Sequence, residues 1–94
     1  MNDVVIIAGT NFKVTSNGSL YCSGGQIGGW TISSSRLYSY NSSTDSIYLY
    51  SADLSSSSPK TINNYSSTTW RLTVGDKFGV TKSGDVYAAS LILP

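Results

Sequence analysis

The stretch Phe12–Tyr21, FKVTSNGSLY, returns as FGVTKSGDVY at Phe78–Tyr87. With their flanks the copies share the frame G-x-x-F-x-V-T-x-x-G-x-[LV]-Y at a constant offset of 66 residues, Gly9 over Gly75 and Tyr21 over Tyr87. Ahead of each copy lies a short strand-like segment, Val5-Ile6-Ile7-Ala8 and Arg71-Leu72-Thr73-Val74. A chain of 94 residues that carries one phrase near both ends is read first as a repeat and only then as a fold.

Each copy reads as a β-hairpin whose register follows from its turn. A two-residue turn at Asn17-Gly18 would pair Val14 with Tyr21 and leave Leu20 beside Thr15. A three-residue loop, Ser16-Asn17-Gly18, is a type I turn closed by Gly in the left-handed conformation, which forms a bulge. That register pairs Val14 with Leu20 and Phe12 with Cys22 on one face, and Phe78, Val80, Val86 and Ala88 in the second copy. Both faces are then wholly apolar, so the bulged hairpin is expected, with that face buried. Tyr21 and Tyr87 point to the opposite face.

Between the copies the signal stays β. Trp30-Thr31-Ile32 alternates, Ser33-Ser34-Ser35 turns the chain, and Arg36–Tyr40 continues as a strand. Ile47-Tyr48-Leu49-Tyr50 alternates aliphatic residues with Tyr, as a strand with both faces occupied does. Ser55–Pro59 is a low-complexity loop, and Trp70-Arg71-Leu72-Thr73-Val74 alternates cleanly between apolar and polar residues. No eleven-residue window carries a helical period, and Ser, Gly and Thr are poor helix formers. The expected fold is all-β, antiparallel hairpins and a meander in an elongated repeat completed by trimerisation. The chain reads as a single β-repeat module over 1–94, with hairpin copies at 9–23 and 75–89 flanking a Ser/Tyr-rich β segment. A domain this small buries a limited core, so oligomerisation or neighbouring domains are expected to support it.

Composition removes several functions. Charged residues are 12% of the chain and the net charge is +1, with six basic residues scattered from Lys13 to Lys82. No basic stripe offers a footprint for nucleic acid, and Asp3–Ala8 is too short an apolar run to span a membrane. Histidine and glutamate are both missing, which removes Ser-His-Asp and Cys-His machinery from the chain and zinc sites built on His or paired Cys. Cys22 is alone, forms no internal disulfide, and reads as a small buried hydrophobe. Asp3, Asp45, Asp53, Asp76 and Asp85 lie in turn-like contexts and read as solvated turn residues rather than as a catalytic pair. Gly24-Gly25-Gln26-Ile27-Gly28-Gly29 lacks the Gly-Lys-Ser/Thr ending of a phosphate loop and reads as a tight corner or a close approach of backbones. Asn17, Asn41 and Asn64 each open an Asn-x-Ser triplet, a match expected by chance in so Ser-rich a chain. No catalytic, cofactor-binding or metal-binding residue is assigned.

The remaining candidates are aromatic. Tyr38, Tyr40, Tyr48, Tyr50 and Tyr65, set among Asn and Ser, form a possible glycan platform, because aromatic faces stack on the apolar faces of sugars. The plainer and favoured reading is that they form cross-strand ladders or subunit contacts.

Ile27-Gly28-Gly29-Trp30-Thr31-Ile32, Leu37-Tyr38-Ser39, Trp70–Gly75 and Phe78-Gly79-Val80-Thr81 resemble the repeat region of phage minor structural proteins. These are the long tail-tip, baseplate or tail-fibre proteins of phages and prophages that infect Gram-positive hosts. The resemblance runs through most of the chain from Gly9 onward and rests on short motifs. It implies a virion tail component, a homotrimer in contact with other tail proteins, serving as a spacer or host-contact segment. It brings no catalytic residue, and no peptidase or glycosidase module is recognisable. The alternative expectation is an adhesin module that recognises a host cell-surface polysaccharide. Neither reading involves nucleic acid, a membrane or a cofactor. A 66-residue period that opens and closes with the same hairpin reads as an excerpt of a tandem array, and where the second copy lacks a counterpart of the Gly-Trp-Thr-Ile segment either the array ends or the chain was cut.

Overall fold

The computed structural model describes residues 4–92, so Asp3 and the last two residues of the chain, Leu93 and Pro94, lie outside the description. Every regular element in this range is a strand: β1 Val4–Ile7, β2 Phe12–Thr15, β3 Leu20–Cys22, β4 Gly25–Ile27, β5 Trp30–Ser33, β6 Arg36–Ser42, β7 Asp45–Tyr50, β8 Lys60–Ile62, β9 Tyr65–Ser67, β10 Trp70–Val74, β11 Phe78–Thr81 and β12 Val86–Ala88. The protein is all-β and antiparallel. Its contacts gather into two compact units that divide between Ser34 and Ser35.

In the first unit β1, β2 and β3 form a three-stranded sheet, and β4 and β5 form a hairpin. The glycine-rich stretch is resolved into strand and corner. Gly25–Ile27 is β4, and Gly28-Gly29 is the two-residue turn that pairs Ile27 with Trp30. Backbones also approach closely, since a Cβ on Gly24 would lie 3.2 Å from the carbonyl oxygen of Ile32.

The 66-residue repeat is a repeat of structure. In the first copy Phe12 pairs with Cys22 and Val14 with Leu20; in the second Phe78 pairs with Ala88 and Val80 with Val86. The amide of Thr15 donates to Ser19 O at 2.9 Å and that of Thr81 to Asp85 O at 3.0 Å. Gly18 and Gly84 close the turns at φ +84° and +88°, the left-handed conformation of the bulged loop. The equivalence extends one strand back: β1–β2 and β10–β11 each shift register at the same place, between Val4 and Ile6 and between Trp70 and Leu72.

The second unit is built on a sheet ordered β12-β11-β10-β7-β6, with the β8–β9 hairpin against one face. Two rows of cross-strand neighbours run across the other face. One is Ala88, Phe78, Val74, Ile47 and Ser39; the other is Val86, Val80, Leu72, Leu49 and Leu37. The intervening row, which points the opposite way, is Tyr87, Gly79, Thr73, Tyr48 and Tyr38.

The expectation that the aliphatic face is the buried one is overturned. The core consists of Tyr50, Ile62 and Trp70, with Tyr48, Leu54 and Tyr87 packed around it, all on the Tyr side of the sheet. Ile62 of β8 and the Trp70 ring are fully buried over Gly79, whose Cβ would lie 2.6 Å from Trp70 Cζ3. The register shift explains how Trp70 arrives there. Strict alternation would place it beside Leu72 and Val74, but the extra residue Arg71 turns it to the opposite face. Its Nε1 donates to Lys60 O at 2.8 Å, fixing β8 to β10. Asn63 and Asn64 close the β8–β9 hairpin at φ 48° and 69°, the paired positive angles of a type I′ turn that Asn accommodates. Asn63 Nδ2 then donates to Ala88 O at 3.0 Å, tying this turn to β12.

In the first hairpin Phe12 and Leu20 are likewise exposed, and Cys22 is half-buried rather than buried. Phe12, Val14, Leu20 and Cys22 therefore do not seal a core.

Candidate functional site

The Tyr face of the second unit carries a cleft of about 570 Å³ between the sheet and the loop that leads into β8. Its floor is set by alternation in β7. Tyr48 and Tyr50, two residues apart, project to the same side, and Tyr38 lies across from Tyr48 in β6. The three phenols stack as a ladder, with ring centroids 4.9 Å apart for Tyr38–Tyr48 and 5.3 Å for Tyr48–Tyr50, and planes within 8° and 6° of parallel. Such stacked pairs contribute about 0.5–1.5 kcal/mol each beyond their burial.

Two cations frame the ladder. Arg36 pairs in register with Tyr50, and its guanidinium carbon lies 5.2 Å from the Tyr50 ring centre and 5.8 Å from that of Tyr48. Lys60 opens β8, and its Nζ lies 4.2 Å from the centre of the Tyr48 ring. That ammonium donates to Thr73 Oγ1 at 2.9 Å and, at 3.4 Å, to the Tyr50 hydroxyl. Thr73 is fully buried, so the bond from Lys60 supplies its hydroxyl with a partner. Among the described residues Lys60 forms no ion pair, and Asp53 takes the ion pairs, with Arg71 and Lys82. Burial pushes the Lys60 ammonium below the usual lysine range, and the Arg36 charge adds to that shift. Burial likewise pushes the phenols of Tyr48 and Tyr50 up.

Hydroxyls from Ser43, Ser46, Ser55, Ser58 and Thr61 line the remaining wall, together with Asp76. The cleft is thus a pair of cations over phenols, rimmed by neutral hydroxyl groups and the Asp76 carboxylate. Among the described residues no three His, Cys, Asp or Glu side chains gather in a way that could hold a metal ion.

The candidate tyrosines divide four to one. Tyr38, Tyr48 and Tyr50 form the ladder, and Tyr40 lines the cleft with much of its ring in solvent. Tyr65 belongs elsewhere. It stacks on Tyr87 with centroids 4.1 Å apart and meets the Trp70 ring edge-on, as part of the lid over the core. The ladder also changes what the tyrosines can offer. The rings of Tyr48 and Tyr50 meet other rings, Arg36 and Lys60, which leaves Tyr40 as the most open of the tyrosines that line the cleft. Arg36, Lys60 and Thr73 were not singled out by sequence. Arg36 is legible once Tyr50 is placed opposite it, whereas Lys60 follows Pro59 in a Ser-rich loop and carries no local signal.

The aspartates also depart from expectation at one position. Asp53 is a clasp, with Oδ1 2.9 Å from Arg71 Nη2 and Oδ2 3.0 Å from Lys82 Nζ. These two bonds, Lys82 first, hold its carboxyl below the usual carboxylate range.

Comparison with protein-family profiles, with curated proteins and with solved structures finds no match to this chain.

Proposed function

We propose that the chain is a structural β-repeat module of a phage tail-fibre or tail-tip protein that assembles with copies of itself as a homotrimer. The observation that carries the reading is the aliphatic sheet face. Leu37, Ile47, Leu49, Val74 and Val86 are 36%, 38%, 45%, 43% and 58% exposed, in one apolar row across five strands and a second across four that ends on Ser39. At a strand spacing of about 4.8 Å the patch is on the order of 300 Å², the size of the largest apolar patch on a typical monomer, which is often functional. No charged side chain interrupts the rows, so the surface that matches this one best is another of the same kind.

The repeat supplies such surfaces. Ile6, Phe12 and Leu20 in the first unit are exposed at the positions that Leu72, Phe78 and Val86 hold in the second, 66 residues on, where Leu72 and Phe78 are half-buried and Val86 exposed. Copies aligned in register would bring apolar face to apolar face at each repeat. The threefold stoichiometry, the other tail proteins as neighbours and the place in the virion tail follow from the family resemblance. The role supported is that of a spacer or host-contact segment, with host polysaccharide recognition as the second reading, favoured by the cleft. Immunogold labelling of particles that carry the chain tests the placement. Label at the tail end is expected; particles labelled only on the capsid, or not at all, contradict it.

A further inference from the structure

The cleft on the Tyr face is built unlike the rest of the surface. Elsewhere in this unit a cation near a carboxylate pairs with it, as Arg71 and Lys82 do with Asp53. Lys60 is partly buried, yet among the described residues its ammonium meets two neutral oxygens and the faces of two phenols, those of Tyr48 and Tyr50. An ammonium has three donors; two go to neutral oxygens, and the third meets only the faces of these rings, Tyr48 nearest, which an oxyanion would replace as the stronger acceptor. A charge withdrawn from water without a counter-charge is costly, and an incoming anion would offset that cost. The Arg36 guanidinium lies on the same phenols, so two positive charges converge there. The surrounding walls offer hydroxyls, which suit a polyhydroxylated carrier.

We propose that the cleft binds an oxyanion group, a phosphate ester or a carboxylate, carried on a saccharide or polyol, with Lys60 as its main charged contact. Arg36 and the hydroxyl groups of Tyr48 and Tyr50 form the rest of the receptor, and the rim serines meet the carrier's hydroxyls. The tyrosines act here through their edges and as a bed for the cations, not as stacking faces for a neutral sugar. Asp76 lines the same cleft and opposes the anion, so it sets an upper limit on affinity. The cleft and the aliphatic face lie on opposite sides of one sheet, so anion binding and self-association stand or fall separately.

The test is amide NMR titration of the full chain with inorganic phosphate, glycerol 3-phosphate, glucuronate and, as neutral control, glycerol, at constant ionic strength. Saturable shifts at Tyr48, Tyr50, Lys60 and Thr73 are expected with phosphate compounds, with glucuronate, or with both, and none with glycerol. Response to the phosphates alone assigns a phosphate ester, and response to glucuronate alone a carboxylate. Lys60→Gln is expected to weaken binding about tenfold or more, the usual scale for loss of a charge-assisted hydrogen bond. Asp76→Asn, at the rim, is expected to tighten it, and Lys82→Gln, outside the cleft, to leave it unchanged. The proposal is overturned if no anion gives saturable shifts, if Lys82→Gln weakens binding as much as Lys60→Gln, or if Asp76→Asn binds no tighter. The Asp76 comparison keeps the test decisive if Lys60→Gln fails to fold.

Discussion

Gly79 shows how much of this core depends on single atoms. It faces the Trp70 ring at a distance no Cβ could share, with Ile62 Cγ1 only 3.3 Å from the same point. Trp70 and Ile62 have no room to withdraw, since both are fully buried. Gly79→Ala is therefore expected to cost about 1–3 kcal/mol by overpacking, measured by urea unfolding. A loss below about 0.5 kcal/mol, the range of ordinary surface changes, would show that the contact relaxes freely. The charges around Tyr50 give a second prediction at this scale. Tyr48 and Tyr50 are raised in the folded state, so their contribution to stability is full below about pH 10 and is lost as pH rises through the raised values. Lys60 is lowered, so its charged form penalises the folded state below that lowered value. The penalty is relieved as pH rises toward the ordinary lysine value near 10.4. The two trends oppose each other. Lys60→Met removes the relief, and thermal melts between about pH 9 and 11 should fall more steeply for the variant than for the parent chain. Parallel profiles would contradict the assignment.

At the scale of elements, sequence and structure agree where turn chemistry is local and part where a third element decides. Asn17-Gly18 and Ser83-Gly84 mark the turns but leave two- and three-residue loops open, and the wholly apolar face selects the bulged register; the register holds although that face is not the buried one. The choice of buried face was not legible. β7, β10 and β11 each carry an apolar face and a face of Tyr, Thr, Trp and Gly, and alternation alone treats the aliphatic one as core. The β8–β9 hairpin makes the choice by placing Ile62 and Tyr65 on the other side. Its type I′ turn, Asn63-Asn64, was visible in the sequence only as part of a glycosylation triplet. The bulge at Arg71 was equally hidden, although it alone carries Trp70 into the core. The cleft was half legible: the tyrosines stood out by type, but Lys60 reaches them only through the fold. Asp53 joins the loop before β8 to β10 and to Lys82 just beyond β11. Its folded value is depressed, so its contribution is present above the ordinary value near 3.9 and is lost as pH falls through the folded value. Asp53→Asn should flatten the acid limb of a stability profile below about pH 4, with its loss of stability, small for an exposed pair, seen at neutral pH and vanishing at the acid end. An unchanged acid limb would mean that the two pairs are screened away.

For the whole molecule, the arrangement turns ordinary burial inside out. The folded unit buries Tyr50, Trp70 and Thr73 and leaves two largely apolar rows exposed or half-buried, a disposition that makes sense if the rows are covered by other copies. Leu49 lies at the centre of these rows, between Leu72 and Leu37, and is nearly half exposed. Replacing it should change the stability of a single chain by no more than about 0.5 kcal/mol. The same change to Lys would place a charge at the centre of a contact that excludes water, which is strongly unfavourable without a partner. Sedimentation equilibrium of the parent chain and of Leu49→Lys over a range of concentrations is the most direct test of this claim. The parent chain is predicted to approach three times its own mass as concentration rises, and the variant to remain a folded single chain. A parent chain that keeps the mass of one copy throughout, or a variant that associates equally well, would contradict it.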